Sequence, residues 1–194
     1  MKELSPELVK ELRLKANQIR RDICITTSKL PYAHLGGGMS MTDMVTALYY
    51  DVLNFDPKDP RNPDRDRFVL SKGHCAHVLY NVLVDLGLYT KEELWSEYNQ
   101  IHGRFGMHPN YLYLPGIDAS TGSLGQGISA AAGMAKGAKY LDKDINVYTL
   151  LGDGEIEEGQ VWEAMMFASQ YKLDNLCVIV DVNGLQIDGK CEDV

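Results

Sequence analysis

The sequence predicts an α/β protein, a doubly wound parallel sheet with helices on both faces. Three observations predict it. Apolar, β-branched stretches recur at Arg67–Ser71, Ile145–Leu151 and Leu176–Val180. Helical patterns separate them, and strands alternating with helices build parallel sheets covered on both sides. Each stretch runs into a polar loop with glycine: Lys72-Gly73-His74, Gly152-Asp153-Gly154-Glu155 and Asp181-Val182-Asn183-Gly184. A chain of 194 residues suits one domain, 1–194, with ample length for a buried core.

Taken in order, Ser5-Pro6-Glu7 reads as an N-cap, a first-turn proline and a dipole-matched acid. The helix it opens runs to about Ile25, with Leu8, Leu12, Ala16 and Ile19 on one face. His34-Leu35-Gly36-Gly37-Gly38 is a loop by composition. Ser40-Met41-Thr42-Asp43 then opens a helix through about Val52. Residues 56–66, rich in proline and charge, form a surface connection. After the strand Arg67–Ser71, a helix to about Leu86 carries Val78, Leu79, Val82 and Leu83. Thr90-Lys91-Glu92-Glu93 is a capping box for another short helix. Residues 103–122 are irregular. A helix from Ser123 to Leu141 is rich in glycine and alanine, which implies close packing. Its Ala130-Ala131-Ala132-Gly133 surface suits either a subunit contact or packing inside the domain. Strand, helix (Ile156–Tyr171) and strand complete the pattern. No helix follows the last strand before Val194, so the C-terminal end of the sheet is expected to be incomplete.

Composition narrows the function. The chain is 45% hydrophobic, which excludes disorder, and its formal charge of −8 argues against nonspecific nucleic-acid binding. No apolar run reaches the ~20 residues of a membrane span, and Met1 to Glu7 carry no hydrophobic signal region. A soluble, cytoplasmic protein is expected. Cys24, Cys75, Cys177 and Cys191 are scattered without a C-x-x-C pair, so neither a zinc site nor a disulfide framework is indicated. Cys177 reads as strand core and Cys75 as packing.

The chemistry gathers at the strand ends. Asp153 and Asn183 fall at the same end of two parallel strands, where ligands of open α/β sheets bind. Two oxygen donors beside glycines suit Mg2+ holding a phosphate. His34, His74 and His108 lie in glycine-bearing loops of the same kind, where active sites collect. His77 reads as structural and His102 as solvated. Glu155 and Glu157 read as the acidic first turn of a helix. Lys72 and Arg104 could meet a sugar phosphate, but each reads better as a structural or surface cation.

Several segments, in order, resemble the N-terminal, diphosphate-binding part of transketolases: Ala33-His34-Leu35-Gly36-Gly37-Gly38-Met39-Ser40, Asp66 to His74, Gly106-Met107-His108-Pro109, Thr121 to Gly127, Gly152 to Glu155, and Asn183 to Gly189. The wording looks most like split transketolases, whose diphosphate and pyrimidine domains are separate polypeptides. The resemblance implies the thiamine diphosphate-binding fold, with thiamine diphosphate and Mg2+ as cofactors. Asp153, Asn183 and the Leu185 carbonyl would hold the metal. His74, Gly122, Ser123, Leu124, Gly154, Glu155 and Ile187 would line the cofactor alongside the metal ligands. His34 and His108 would face the sugar, and Glu158 would be the interface glutamate joining two active sites. The implied reaction moves a two-carbon ketol unit between sugar phosphates. The implied partner is a C-terminal, pyrimidine-domain subunit in a homo- or hetero-oligomer.

The chain departs from the family at His34-Leu35-Gly36, where relatives read His-Pro-Gly, and at Val182, where many have asparagine. A further family histidine lies beyond Val194, and the glutamate that activates the cofactor belongs to the other domain. This chain alone is therefore expected to be inactive. The alternatives are another thiamine diphosphate enzyme, such as 1-deoxyxylulose-5-phosphate synthase, or a truncated non-catalytic fragment that binds cofactor or a partner.

Overall fold

The computed structural model describes residues 4–30, 33–187 and 189–193; Met1 to Glu3, Asp188 of the last motif and Val194 lie outside the described residues. Among the described residues six α-helices and five strands follow one another as α1 (Pro6–Thr27), α2 (Leu35–Ala47), β1 (Arg67–Leu70), α3 (Ala76–Asp85), α4 (Lys91–Glu97), α5 (Gln126–Tyr140), β2 (Val147–Gly152), α6 (Gly159–Gln170), β3 (Leu176–Asp181), β4 (Leu185–Gln186) and β5 (Gly189–Lys190). Of these strands β1, β2 and β3 form one parallel sheet in that order, while β4 and β5 make a small antiparallel ribbon.

Alternation along the strands builds two cores. Phe68, Leu70 and Leu150 point to one face and meet Ile19 and Ile23 of α1, Met41 and Val45 of α2, and Val78 and Leu79 of α3. Val69 and Val147 point to the other and meet Ala131, Ala132 and Ala135 of α5. Leu151 on that face meets Ile128, Val161 and Ala164. The doubly wound architecture is thus present. Ala131 and Ala132 of the small-residue surface serve packing inside the domain, while Ala130 and Gly133 are exposed.

The caps read from sequence form as expected. The Ser5 side chain accepts from the Leu8 N–H, and both halves of the Thr90/Glu93 capping box are made. Several boundaries differ. Leu35 to Gly38 is the first turn of α2, not a loop, and Ser40 lies within that helix. The turn is helical because it is pressed on α3 and its approach: a Cβ on Gly38 would meet His77 Nε2 at 2.2 Å. Glycine there removes a clash that would outweigh its poor helix propensity. The last turn of the expected helix, Leu48–Val52, widens to a π-helix. The helix expected from Ser123 begins at Gln126, after Gly125 at φ 76°.

Cys75 is buried, but Cys177 is exposed rather than core. Among the described residues β3 pairs only with β2, so its outer edge lacks a covering strand. No helix among the described residues is long and apolar enough to cross a membrane.

Candidate functional site

The carboxyl ends of β1, β2 and β3 lie side by side, and each carries a polar loop. A buried ion pair ties two of them: Lys72 Nζ, just after β1, meets Asp181 Oδ2 at the end of β3 at 2.7 Å. Both side chains are almost fully enclosed, 2% and 5% exposed. A buried charge needs such a partner, so Lys72 is structural.

Asp153 follows β2. Its Oδ2 accepts the Gly184 N–H at 2.6 Å, and its Oδ1 accepts the Gly154 N–H at 3.1 Å. The carboxylate therefore sits against the Asn183-Gly184-Leu185 turn. Gly184, at φ 75°, supplies the left-handed backbone that aims its N–H there. Asn183 Oδ1 accepts from the Leu185 N–H at 2.9 Å. One carboxylate, one amide and nearby carbonyls are the donors of a hard cation that takes its remaining ligands from water or phosphate. Among the described residues no group of three or more His, Cys, Asp or Glu is placed to hold a metal without such help.

The three histidines also converge. His34 stands at the N-cap of α2, with its ring 5.0 Å from that of His74 in an edge-to-face arrangement. His108 lies against the backbone of Gly122, where a Cβ would meet its ring at 3.2 Å. Two interactions set that contact. Thr121 Oγ1 donates to the Leu70 carbonyl at 2.6 Å, which seats Thr121–Gly122 on the end of β1. The Tyr80 hydroxyl bridges the carbonyls of Gly106 and His108 at 3.0 and 3.2 Å. Burial, with Lys72, His34 and His108 nearby, pulls the His74 pKa down to about 4. Burial and then His34 lower that of His108. Both imidazoles are therefore neutral near pH 7.

The other expected residues divide. Gly122 is half-buried while Ser123 and Leu124 are exposed beside it. Leu185 and Ile187 are exposed on the β4–β5 ribbon, Ile187 at 99% and with φ of 32°. The Gly154 N–H is engaged by Asp153, and Gln186 packs over that glycine: a Cβ there would meet Gln186 Oε1 at 2.9 Å. Glu158 is exposed at the N-cap position of α6. The expectation that Glu155 opens the helix is corrected. Glu155 precedes α6 in a 3-10 turn, and its carboxylate turns inward. Oε1 accepts from Ser71 Oγ at 2.5 Å and Gly125 N at 3.0 Å, and Oε2 from Gly152 N at 3.0 Å. It is 2% exposed and braces three loops from behind. Arg104 is held by Glu93 and Glu97, as a structural cation should be, and His102 is exposed.

Sequence reasoning assigned no role to Ser40, Thr121 and Asp181, although they lie within the quoted segments, and missed Tyr80, which lies outside them. Asp181 alone left a signal, as a carboxylate closing the apolar run Val178–Val180.

Comparison with known proteins agrees with this layout. Residues 13–194 match the family described as transketolase, thiamine diphosphate binding domain. The chain is 41% identical over 188 residues to an apulose-4-phosphate transketolase subunit from Phocaeicola vulgatus, covering 96% of this chain and 66% of that one. It is 41% identical over 184 residues to a 6-deoxy-6-sulfo-D-fructose transketolase subunit from Clostridium sp., covering 95% of this chain and 66% of that one. Its fold superposes on a transketolase from Leishmania mexicana with a TM-score of 0.89 at 33% identity, over 93% of this chain and 28% of that enzyme. The chain thus spans about two thirds of the subunit relatives. With the match running through the strand-end loops just described, the chain belongs to the transketolase family, as its N-terminal, thiamine diphosphate-binding domain.

Proposed function

We propose that this chain is the diphosphate-binding part of a split transketolase. It would work with a pyrimidine-domain partner subunit to move a two-carbon ketol unit from a ketose phosphate to an aldose phosphate. The observation that carries this reading is the Asp153 carboxylate seated on the Asn183–Leu185 turn, at the same sheet end as the histidine group. In this reading residues 1–194 act as one domain. Asp153, Asn183 and the Leu185 carbonyl hold Mg2+. His74, Gly122, Ser123, Leu124, Gly154 and Ile187 line the bound thiamine diphosphate.

Thiamine diphosphate supplies, when bound, the electron sink for carbon–carbon cleavage. The chain's own residues then orient the sugar and move its protons. His34 and His108 stand at the open side of the site, where each is exposed. The neutral His108 ring both donates and accepts a hydrogen bond, as binding a hydroxyl and taking its proton require. His74, more enclosed and uncharged at neutral pH, suits a hydrogen bond to a diphosphate oxygen. Glu158 lies beside exposed Trp162, Met166 and Phe167 of α6, which supports a subunit interface there.

The test is reconstitution. The chain is mixed with its pyrimidine-domain partner, thiamine diphosphate, Mg2+, and a ketose phosphate with an aldose phosphate. Ketol transfer is expected only in the complete mixture, and absence of any cofactor binding there sinks the reading.

A further inference from the structure

Asn183 can serve a cation only through Oδ1, yet its side-chain oxygen and NH2 are nearly alike in shape. Which of them faces the cation is decided by what meets each: the Leu185 N–H, 2.9 Å away, selects the oxygen on one side, and Ser40 selects the NH2 on the other. Asn183 Nδ2 lies 3.4 Å from Ser40 Oγ, a contact spanning 143 positions in sequence. Ser40 Oγ in turn lies 2.5 Å from Asp181 Oδ2 and 3.0 Å from the Gly37 carbonyl. The same Asp181 oxygen takes the Lys72 ammonium at 2.7 Å.

Polarity propagates along this line. The Lys72 ammonium only donates, and the carboxylate opposite it only accepts. Ser40 has one proton, and its two short contacts, Asp181 and Gly37, are both acceptors. The proton is therefore committed, and toward Asn183 the hydroxyl can only accept. The amide must turn its NH2 to Ser40. Its oxygen then faces the opposite way, toward the Leu185 N–H at 2.9 Å and the turn on which Asp153 rests.

We infer that Ser40 is a positioning residue for Mg2+ binding: relayed from Lys72 through Asp181, its hydroxyl locks the Asn183 amide with the oxygen on the metal side. This rests on the reading of Asp153 and Asn183 given under Proposed function. Ser40 touches neither metal nor cofactor in this account. It opposes the flipped Asn183 amide, which would present N–H groups to a cation.

The test is calorimetric titration of Mg2+ into the full protein assembled with its partner and saturated with thiamine diphosphate. Ser40→Ala is expected to weaken the apparent Mg2+ affinity by ~10-fold or more, the scale of losing an outer partner of a metal ligand. Ser40→Thr keeps the hydroxyl and restores most of the affinity. The background Asn183→Asp discriminates orientation from general support, because a carboxylate has two like oxygens and no wrong way round. There Ser40→Ala is expected not to weaken Mg2+ affinity, because a hydroxyl whose proton is committed to Asp181 and Gly37 offers a carboxylate no hydrogen bond. Ser40→Ala with wild-type affinity, or an equal loss in both backgrounds, overturns the inference alone. Wild-type protein without Mg2+-dependent thiamine diphosphate binding overturns it together with the reading beneath it. If Ser40→Ala does not fold, Ser40→Cys replaces it with the same expected loss, since a thiol accepts only weakly.

Discussion

Glu155 shows how one carboxylate can hold several loops of this site together. Its two oxygens receive Ser71 Oγ and the N–H groups of Gly125 and Gly152, so loops after β1, before α5 and at the end of β2 share one carboxylate. Glu155→Gln puts an NH2 where one of those donors points. With either amide orientation at least one buried donor faces another donor. A loss on the order of 2–3 kcal/mol is expected, the cost of an unsatisfied buried group plus a lost charge-assisted bond. Urea unfolding at pH 7 measures it, and an unchanged midpoint would refute the bracing role. Glu155 also marks a limit of reading from sequence. An acid after a strand looks the same whether it faces a phosphate or the core, because the difference lies in Ser71, 84 positions away. Asp153 and Asn183 were legible because both directly follow or nearly follow a readable strand, and chain direction alone puts them at one end of the sheet. Ser40 was not legible, since only the packing of α2 on the sheet brings it there.

Between elements, α2 and α3 meet at Gly38 and His77. The imidazole is fully buried, and among the described residues neither ring nitrogen has a hydrogen-bond partner. Burial, then the fields of His34, His74 and Lys72, lower its pKa from 6.5 to about 4. The folded state therefore binds fewer protons than the unfolded chain between those values. Stability contributed by neutral His77 is present above about pH 6.5 and is lost as pH falls toward about 4. The full shift corresponds to a contribution on the order of 3 kcal/mol, of which about 2 kcal/mol is lost between pH 7 and pH 5. His77→Leu is expected to remove that share of the acid limb, leaving the share of His74, whose pKa is lowered likewise, and to raise stability at pH 7 by about 1 kcal/mol, because it ends an unsatisfied burial. Denaturation midpoints at pH 5 and pH 7 check both signs. A variant as acid-sensitive as the parent would assign the limb to His74 instead. Gly38→Ala should be destabilising in the parent and milder in a His77→Ala background, where the 2.2 Å approach is gone. This contact also explains why Leu35–Gly38 read as a loop. Glycine-rich composition carries local propensity only, whereas the helix here is imposed by a neighbour 39 positions on, counting from Gly38 to His77.

At the scale of the molecule, the two-faced sheet was legible because apolar stretches alternating with helical patterns along the chain need no knowledge of partners. The exposure of Cys177 was not, since burial of a strand depends on what lies beyond it, and β3 has a neighbour on one side only among the described residues. The sheet end is a place where three separately folded loops must agree: Lys72 from β1, Asp153 from β2, and Asp181 with Asn183 from β3. A ligand bridging them binds the folded state and not the unfolded chain, so it stabilises the whole domain by mass action. At roughly 100 times its dissociation constant, Mg2+–thiamine diphosphate should add about 2.7 kcal/mol. For a domain of this size that amounts to a rise in Tm of roughly 5–10 °C. The shift should appear in the assembled protein without any sugar, vanish on chelation of the metal, and be absent in Asp153→Ala, whose own fold is held by the cores on both sheet faces. A shift that survives chelation and Asp153→Ala would mean that the diphosphate is held elsewhere, and that the agreement of the three loops serves packing alone.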